Sequence, residues 1–225
     1  MWHAKPTGSF GHLGTYGQDN ATEMFTVFDE KGWCTEAIAA IIGNAEAEAG
    51  LNPWRWQSDD VPTLEEFDGW SDEEASLHGY GLPQFTPAKK YINNNIASAY
   101  GQYGWGANLA DMPGLATDGN AQTHYMANLI PYDWSENLYN YYKREFDKIG
   151  VNIDDFYWMT IDEFLYGDGD YEFKDYVGAY LCKFERGNNE ATAKSFANRV
   201  EYSEFWYDFF GGSKKMPIYF YLKQL

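Results

Sequence analysis

Basic residues are scarce in this chain: 16 Lys and Arg stand against 34 Asp and Glu, a net charge of −18. A nucleic-acid partner is excluded by that balance, because phosphates need a basic footprint. Adsorption to an anionic membrane is excluded for the same reason. Cysteine is nearly absent. Cys34 and Cys182 are the only two, both inside apolar helical patterns, and they read as small buried hydrophobes rather than a disulfide. The 4 His and 2 Cys show no ligand spacing, so no zinc site, metal or cofactor is expected. No run approaches the roughly 18 apolar residues of a membrane span. Met1-Trp2-His3-Ala4-Lys5-Pro6 carries no apolar core of a leader, so no signal peptide is expected. Internal repeats and low-complexity tracts are lacking too.

Aromatic residues, by contrast, are plentiful: 9 Trp, 19 Tyr and 15 Phe make 19% of the chain. Most must serve the core. A surplus suits a carbohydrate groove, because a flat ring stacks on the apolar face of a sugar. The length of 225 residues suits one domain, expected over residues 1–211, with 212–225 as a linker and short apolar tail. Residues 1–17, rich in Gly and aromatics, read as an irregular arm.

The periodicity is mainly helical. Apolar Met24, Phe25 and Phe28 predict a helix over about 20–28, stopped at Lys31-Gly32. Thr35 reads as the N-cap of the next helix, with Trp33 as its staple. Ile38, Ile41, Ile42, Ala45 and Ala49 then mark one buried face, so this helix is expected to be central; Gly50 and Pro53 end it. Residues 79–85 read as a short strand or hairpin edge, and Thr86-Pro87 opens a helix to about residue 100. Further helices are expected at about 120–130, 135–149, 171–185 and 189–209, with a capping box at Thr160-Ile161-Asp162-Glu163.

The chemistry centres on the end of the second helix. Its two acids, Glu46 and Glu48, fall on opposite edges of the apolar face at about 100° per residue, so periodicity leaves both open. Glu48 lies in the last turn, where the helix dipole disfavours a carboxylate and so favours the protonated form a general acid needs. A solvated acid at a frayed helix end is the other reading.

Two motifs give this helix end a further meaning. Ile42-Gly43-Asn44-Ala45-Glu46-Ala47-Glu48-Ala49-Gly50-Leu51-Asn52-Pro53 is followed by Gly79-Tyr80-Gly81-Leu82-Pro83-Gln84-Phe85-Thr86-Pro87. Together they resemble the phage tail lysozyme family, which carries Glu-Ser-Gly-x-Asn-Pro at a helix end and then Gly-Tyr-Gly-x-x-Gln-aromatic-Thr-Pro. Gly32-Trp33, residues 179–187 and Arg199 extend the likeness weakly. The resemblance implies a mainly α (α+β), lysozyme-like fold: a central helix ending in the catalytic Glu, a small β-hairpin and surrounding helices. It implies Glu48 as the general acid in cleavage of the peptidoglycan glycan strand. Peptidoglycan is then the partner, with other phage tail proteins as candidate neighbours, and the setting is a virion tail or a lysin released at lysis.

This chain departs from the family pattern at Ala49, where the family has Ser, and at Pro83 inside the hairpin segment. Gly79 stands where lysozymes of the hen egg-white type carry an Asp, so the chain is more similar to goose-type lysozymes and lytic transglycosylases. Asp59 and Asp60, in the turn chemistry after Pro53, are the first candidates for a second carboxylate, which an inverting hydrolase needs about 6.5–9.5 Å away. A transglycosylase needs none. Tyr80 and Gln84 are candidate sugar contacts, and Trp56 and Gln57 a candidate groove wall; packing of the hairpin is the alternative for each. Glu185 and Arg186 read as a structural ion pair. A non-catalytic wall-binding module and a structural tail protein are the competing classes.

Overall fold

The computed structural model describes residues 1–3, 8–53, 55, 69, 71, 74, 79–84 and 118–212. Among these the ordered elements are helical: α1 (Thr15–Asp29), α2 (Thr35–Ala49), α3 (Asp118–Leu129), α4 (Tyr139–Lys148), a 3-10 turn (Ile153–Asp155), α5 (Ile161–Tyr166), α6 (Phe173–Tyr180), a π turn (Leu181–Glu185) and α7 (Asn189–Phe209). None of them is long and apolar enough to cross a membrane. The chain divides into two compact units, Met1–Val27 with Ala45–Tyr132, and Phe28–Asn44 with Asp133–Leu225.

In the first unit the helix expected from about residue 20 starts at Thr15, and the glycine-rich segment before it folds back rather than straying. The Gly11 N–H donates to the Gly50 carbonyl at 2.8 Å and the Tyr16 N–H to the Ser9 carbonyl at 3.1 Å. Asn20, fully buried, donates its amide to the carbonyls of His3 and Leu51, each at 2.8 Å. Residues 81–84 form a turn closed by the Gln84 N–H on the Gly81 carbonyl at 3.0 Å. The small hairpin expected here is not seen among the described residues. Pro83 lies inside the turn, where no ladder donor is required.

The second unit holds the start of α2. Its predicted buried face is present, but burial goes further: every residue from 37 to 46 along the helix is buried. Ala37, Ala39 and Ala40 let neighbours close on the sides that the isoleucines do not cover. The cap lies one residue earlier than Thr35. The Ile38 N–H bonds the Cys34 carbonyl at 3.1 Å, and Cys34 donates its own N–H to the Leu165 carbonyl at 2.7 Å. Trp33 stacks on Phe28, ring centroids 5.0 Å apart.

Helix α7 meets α2 through Gly43. A Cβ built there would fall 2.6 Å from the Ser203 Cα, so only glycine lets the two backbones approach this closely. One residue on, Asn44 accepts from Arg199 at 2.9 Å, and Arg199 also donates to Glu185 at 2.8 Å, both charges about nine-tenths buried. The expected Glu185–Arg186 pair is therefore replaced. Arg186, in the left-handed region at φ 52°, turns away to Asp133 at 2.5 Å. The capping box at Thr160 and Glu163 is present, and α7 has the bounds expected of it.

Both cysteines are free. Burial pushes the Cys34 thiol up from an ordinary 9.0 to about 11, and raises Cys182 as well. Burial, and then a hydrogen bond to Glu36, lifts the Tyr207 phenol to about 12; burial also raises Tyr142 and Tyr176. Each of these groups holds its proton when folded at a pH where the unfolded chain has released it. Their contribution to stability is complete below about pH 9 and is lost as pH climbs through the raised values. Lys183 acts in the opposite sense, since burial lowers its ammonium and its neutral form is favoured. One lysine does not offset five acids, so the urea midpoint is expected to be lower at about pH 10.5 than at about pH 8. An unchanged midpoint would contradict this burial pattern.

Candidate active site

Helix α2 ends in two successive left-handed residues, Gly50 at φ 60° and Leu51 at φ 64°. Such a conformation costs a β-carbon-bearing residue on the order of 1 kcal/mol or more, and it persists only where the surroundings over-determine it. Here they do: Leu51 is fully buried and its carbonyl is held by Asn20. The chain is thereby reversed directly after Glu48, and the Asn52 N–H closes on the Ala49 carbonyl at 3.0 Å. Ala49 itself is buried.

The second motif is bound to this reversal by backbone and amide groups. The Gly81 N–H donates to the Arg55 carbonyl at 2.9 Å, and the Gln84 side-chain amide donates to the carbonyls of Arg55 at 3.1 Å and Gly81 at 3.0 Å. Gln122, on α3, completes the clamp. Its amide nitrogen donates to the Pro53 carbonyl at 2.8 Å, and its oxygen accepts from the Leu82 N–H at 2.7 Å. Gly81, at φ 81°, leaves room for it, since a Cβ there would lie 2.3 Å from the Gln122 oxygen. The helix end and the turn at residues 79–84 are thus joined through a buried glutamine 40 residues beyond Leu82.

The two acids are treated differently. Glu46 is 8% exposed, and its Oε1 accepts the His12 N–H at 2.7 Å while facing the His12 Nδ1 at 2.7 Å. It ties the N-terminal segment to the helix. Glu48 is half-buried on the last turn of α2. Tyr80 is 1% exposed and Gln84 half-buried. Asp59, Asp60, Trp56 and Gln57 lie outside the described residues. Among the described residues no group of His, Cys, Asp and Glu is placed to hold a metal ion.

Gln122, His12 and Asn20 are the site's supporting residues that sequence pattern misses. For Gln122 and Asn20 a polar residue at a core position of a helix is the only signal, His12 in its turn gives none, and nothing names partners 17 to 69 residues away. Replacing Gln122 by Ala is expected to cost about 1–3 kcal/mol for each of the two buried backbone groups it leaves unpaired. Urea unfolding measures the loss. Gln122→Glu, which sets a buried carboxylate against the Pro53 carbonyl, should cost at least as much as Gln122→Ala at neutral pH.

A family model described as phage tail lysozyme matches residues 19–151, a range that holds both motifs and the clamp. The chain is also similar to morphogenesis protein 1 of Bacillus phage B103, with 34% identity over 74 residues. That alignment covers 33% of this chain and 17% of the relative, so the chain spans a small part of that protein's length.

Proposed function

The chain belongs to the phage tail lysozyme family, and on that premise we propose that it cuts the glycan strand of bacterial peptidoglycan with Glu48 as general acid. The observation that carries the proposal is the clamp. The helix end bearing Glu48 and the turn at residues 79–84 are held together by Gln122, Gln84 and the Arg55 carbonyl. A proton donor must be held within hydrogen-bond reach of the glycosidic oxygen, and a helix end locked by buried groups holds it so.

In the hydrolytic reading Glu48 protonates the leaving oxygen, and a second carboxylate, from Asp59 or Asp60, activates water on the opposite face of the sugar. Trp56 and Gln57, next in sequence, are the sugar-contacting residues of this reading. Tyr80 is buried and so offers no ring face to a sugar, and Gln84 fixes the turn through its amide on the Arg55 and Gly81 carbonyls. Glu46 is structural, because His12 occupies it.

Transglycosylation is the second reading, favoured by Gly79 standing where hen-type enzymes carry an Asp. There the 6-hydroxyl of the muramic acid attacks, and Glu48 serves as acid and then base. Either chemistry fits a tail component that opens the wall locally or a lysin released at lysis.

Mass spectrometry of digested cell wall tests the proposal. New reducing ends carrying one added water indicate hydrolysis, and their sugar names the bond; anhydro-muramic acid ends indicate transglycosylation. A chain that pellets with cell wall and releases no fragment refutes cleavage and leaves a binding module.

A further inference from the structure

Trp158 is held where water, not protein, meets it. It is 57% exposed, between Tyr157 and Met159, which are both fully buried. The segment carrying it is rigid: the Tyr157 N–H bonds the Ile153 carbonyl at 2.7 Å and the Met159 N–H the Phe156 carbonyl at 3.1 Å. One face of its ring lies on Tyr139, centroids 5.2 Å apart and planes at 26°. Tyr139 is itself fixed, its hydroxyl donating to Asp154 at 2.6 Å and its ring edge-on to Tyr157 at 5.3 Å. Tyr157 accepts the Leu138 N–H at 2.6 Å. Polar groups lie beside Tyr139: the Asp154 carboxylate that its hydroxyl meets, and Lys143, 5.9 Å from its ring centroid. Trp158 lies beyond residue 151, where the family match ends.

The stack on Tyr139 and the edge contact with Tyr157 cover part of the indole, and the rest of its apolar area stays in water, where it adds nothing to stability. A flat ring held by its stack on Tyr139 is suited to the apolar face of a pyranose, and it binds with little ordering cost. We propose that Trp158, backed by Tyr139, is a second glycan-binding platform: it holds the peptidoglycan strand by stacking on a sugar ring and takes no part in cleavage. The platform rests on the reading of the substrate as glycan.

Pelleting with purified, teichoic-acid-free sacculi tests it, in a Glu48→Gln background so that the wall is not consumed. Adding Trp158→Ala is expected to weaken binding about two- to tenfold, and Trp158→Phe to retain most of it. In the otherwise native chain Trp158→Ala should leave turnover of short soluble glycan fragments within about twofold. Equal binding with and without the indole overturns the platform. So does unchanged sacculus binding together with loss of self-association in sedimentation, which would make Trp158 a contact with a second copy. Melting curves matching the native chain verify the fold of each variant. If the native chain binds through Trp158 but releases no fragments, the platform stands and the cleavage reading falls.

Discussion

Glu48→Gln is expected to lower the release of glycan fragments from sacculi by about 10²–10⁴-fold, the usual contribution of a positioned general acid. The amide matches the carboxyl in shape and has no proton of suitable acidity to give the leaving oxygen. Stability should hardly change, because Glu48 is half-buried on the last turn of its helix. The companion substitution separates the two acids. Glu46→Gln disturbs a nearly buried carboxylate that accepts the His12 N–H and faces its ring, both at 2.7 Å. Hydrogen bonds to charged groups are worth about 1.5–3 kcal/mol, so Glu46→Gln should lower the unfolding midpoint while leaving the chemistry largely intact. The reverse pattern, with Glu46→Gln inactive and stable and Glu48→Gln active, would transfer the catalytic role to Glu46. Reducing-end assays and thermal unfolding on the same preparations decide between them.

The second large effect is on stability. Gly43→Ala should destabilise the protein by about 1–3 kcal/mol, the range for overpacking a close-packed contact. That corresponds to roughly 2–4 °C in melting temperature for each kcal/mol in a chain of this size. The added methyl would fall 2.1 Å from the Ser203 Oγ and 2.6 Å from both its Cα and its N. A hydroxyl can rotate or be removed, but backbone moves only with the whole of α7. Combining Gly43→Ala with Ser203→Ala should therefore recover little. Full recovery would mean that the hydroxyl, not the helix backbone, sets the separation. The strain should also reach the neighbouring Asn44–Arg199–Glu185 cluster, whose hydrogen bonds depend on the same crossing.

Local signals carried the helices well. The cap at Thr160, the glycine after α2 and the apolar spacing of Ile38, Ile41 and Ile42 depend on neighbours within a few residues, so they are written in the chain itself. Where the local signal was ambiguous, long-range partners decided. Arg186 adopts a left-handed conformation, so the adjacent acid Glu185 pairs across the unit with Arg199 instead. Cys34, not Thr35, takes the cap position, its backbone engaging Leu165 from a segment far along the sequence. The N-terminal segment, read as an irregular arm, is drawn onto the helix end by the Gly50 carbonyl and by Glu46, neither of which periodicity can foresee.

For the candidate site, sequence alone determined the inventory: an acid in the last turn of a helix, a glycine and proline to stop it, and a second motif to follow. Helical geometry left Glu46 and Glu48 on opposite edges of one face, and the place of Glu48 in the last turn and in the first motif favoured it. The tertiary structure adds a difference in surroundings: His12 folds onto Glu46, while Glu48 stays half-buried. Only it joined the two motifs, through a buried glutamine whose partners are chosen by the need to satisfy backbone groups shut away from water. That need operates through space, between residues tens of positions apart, and no reading of neighbours along the chain contains it.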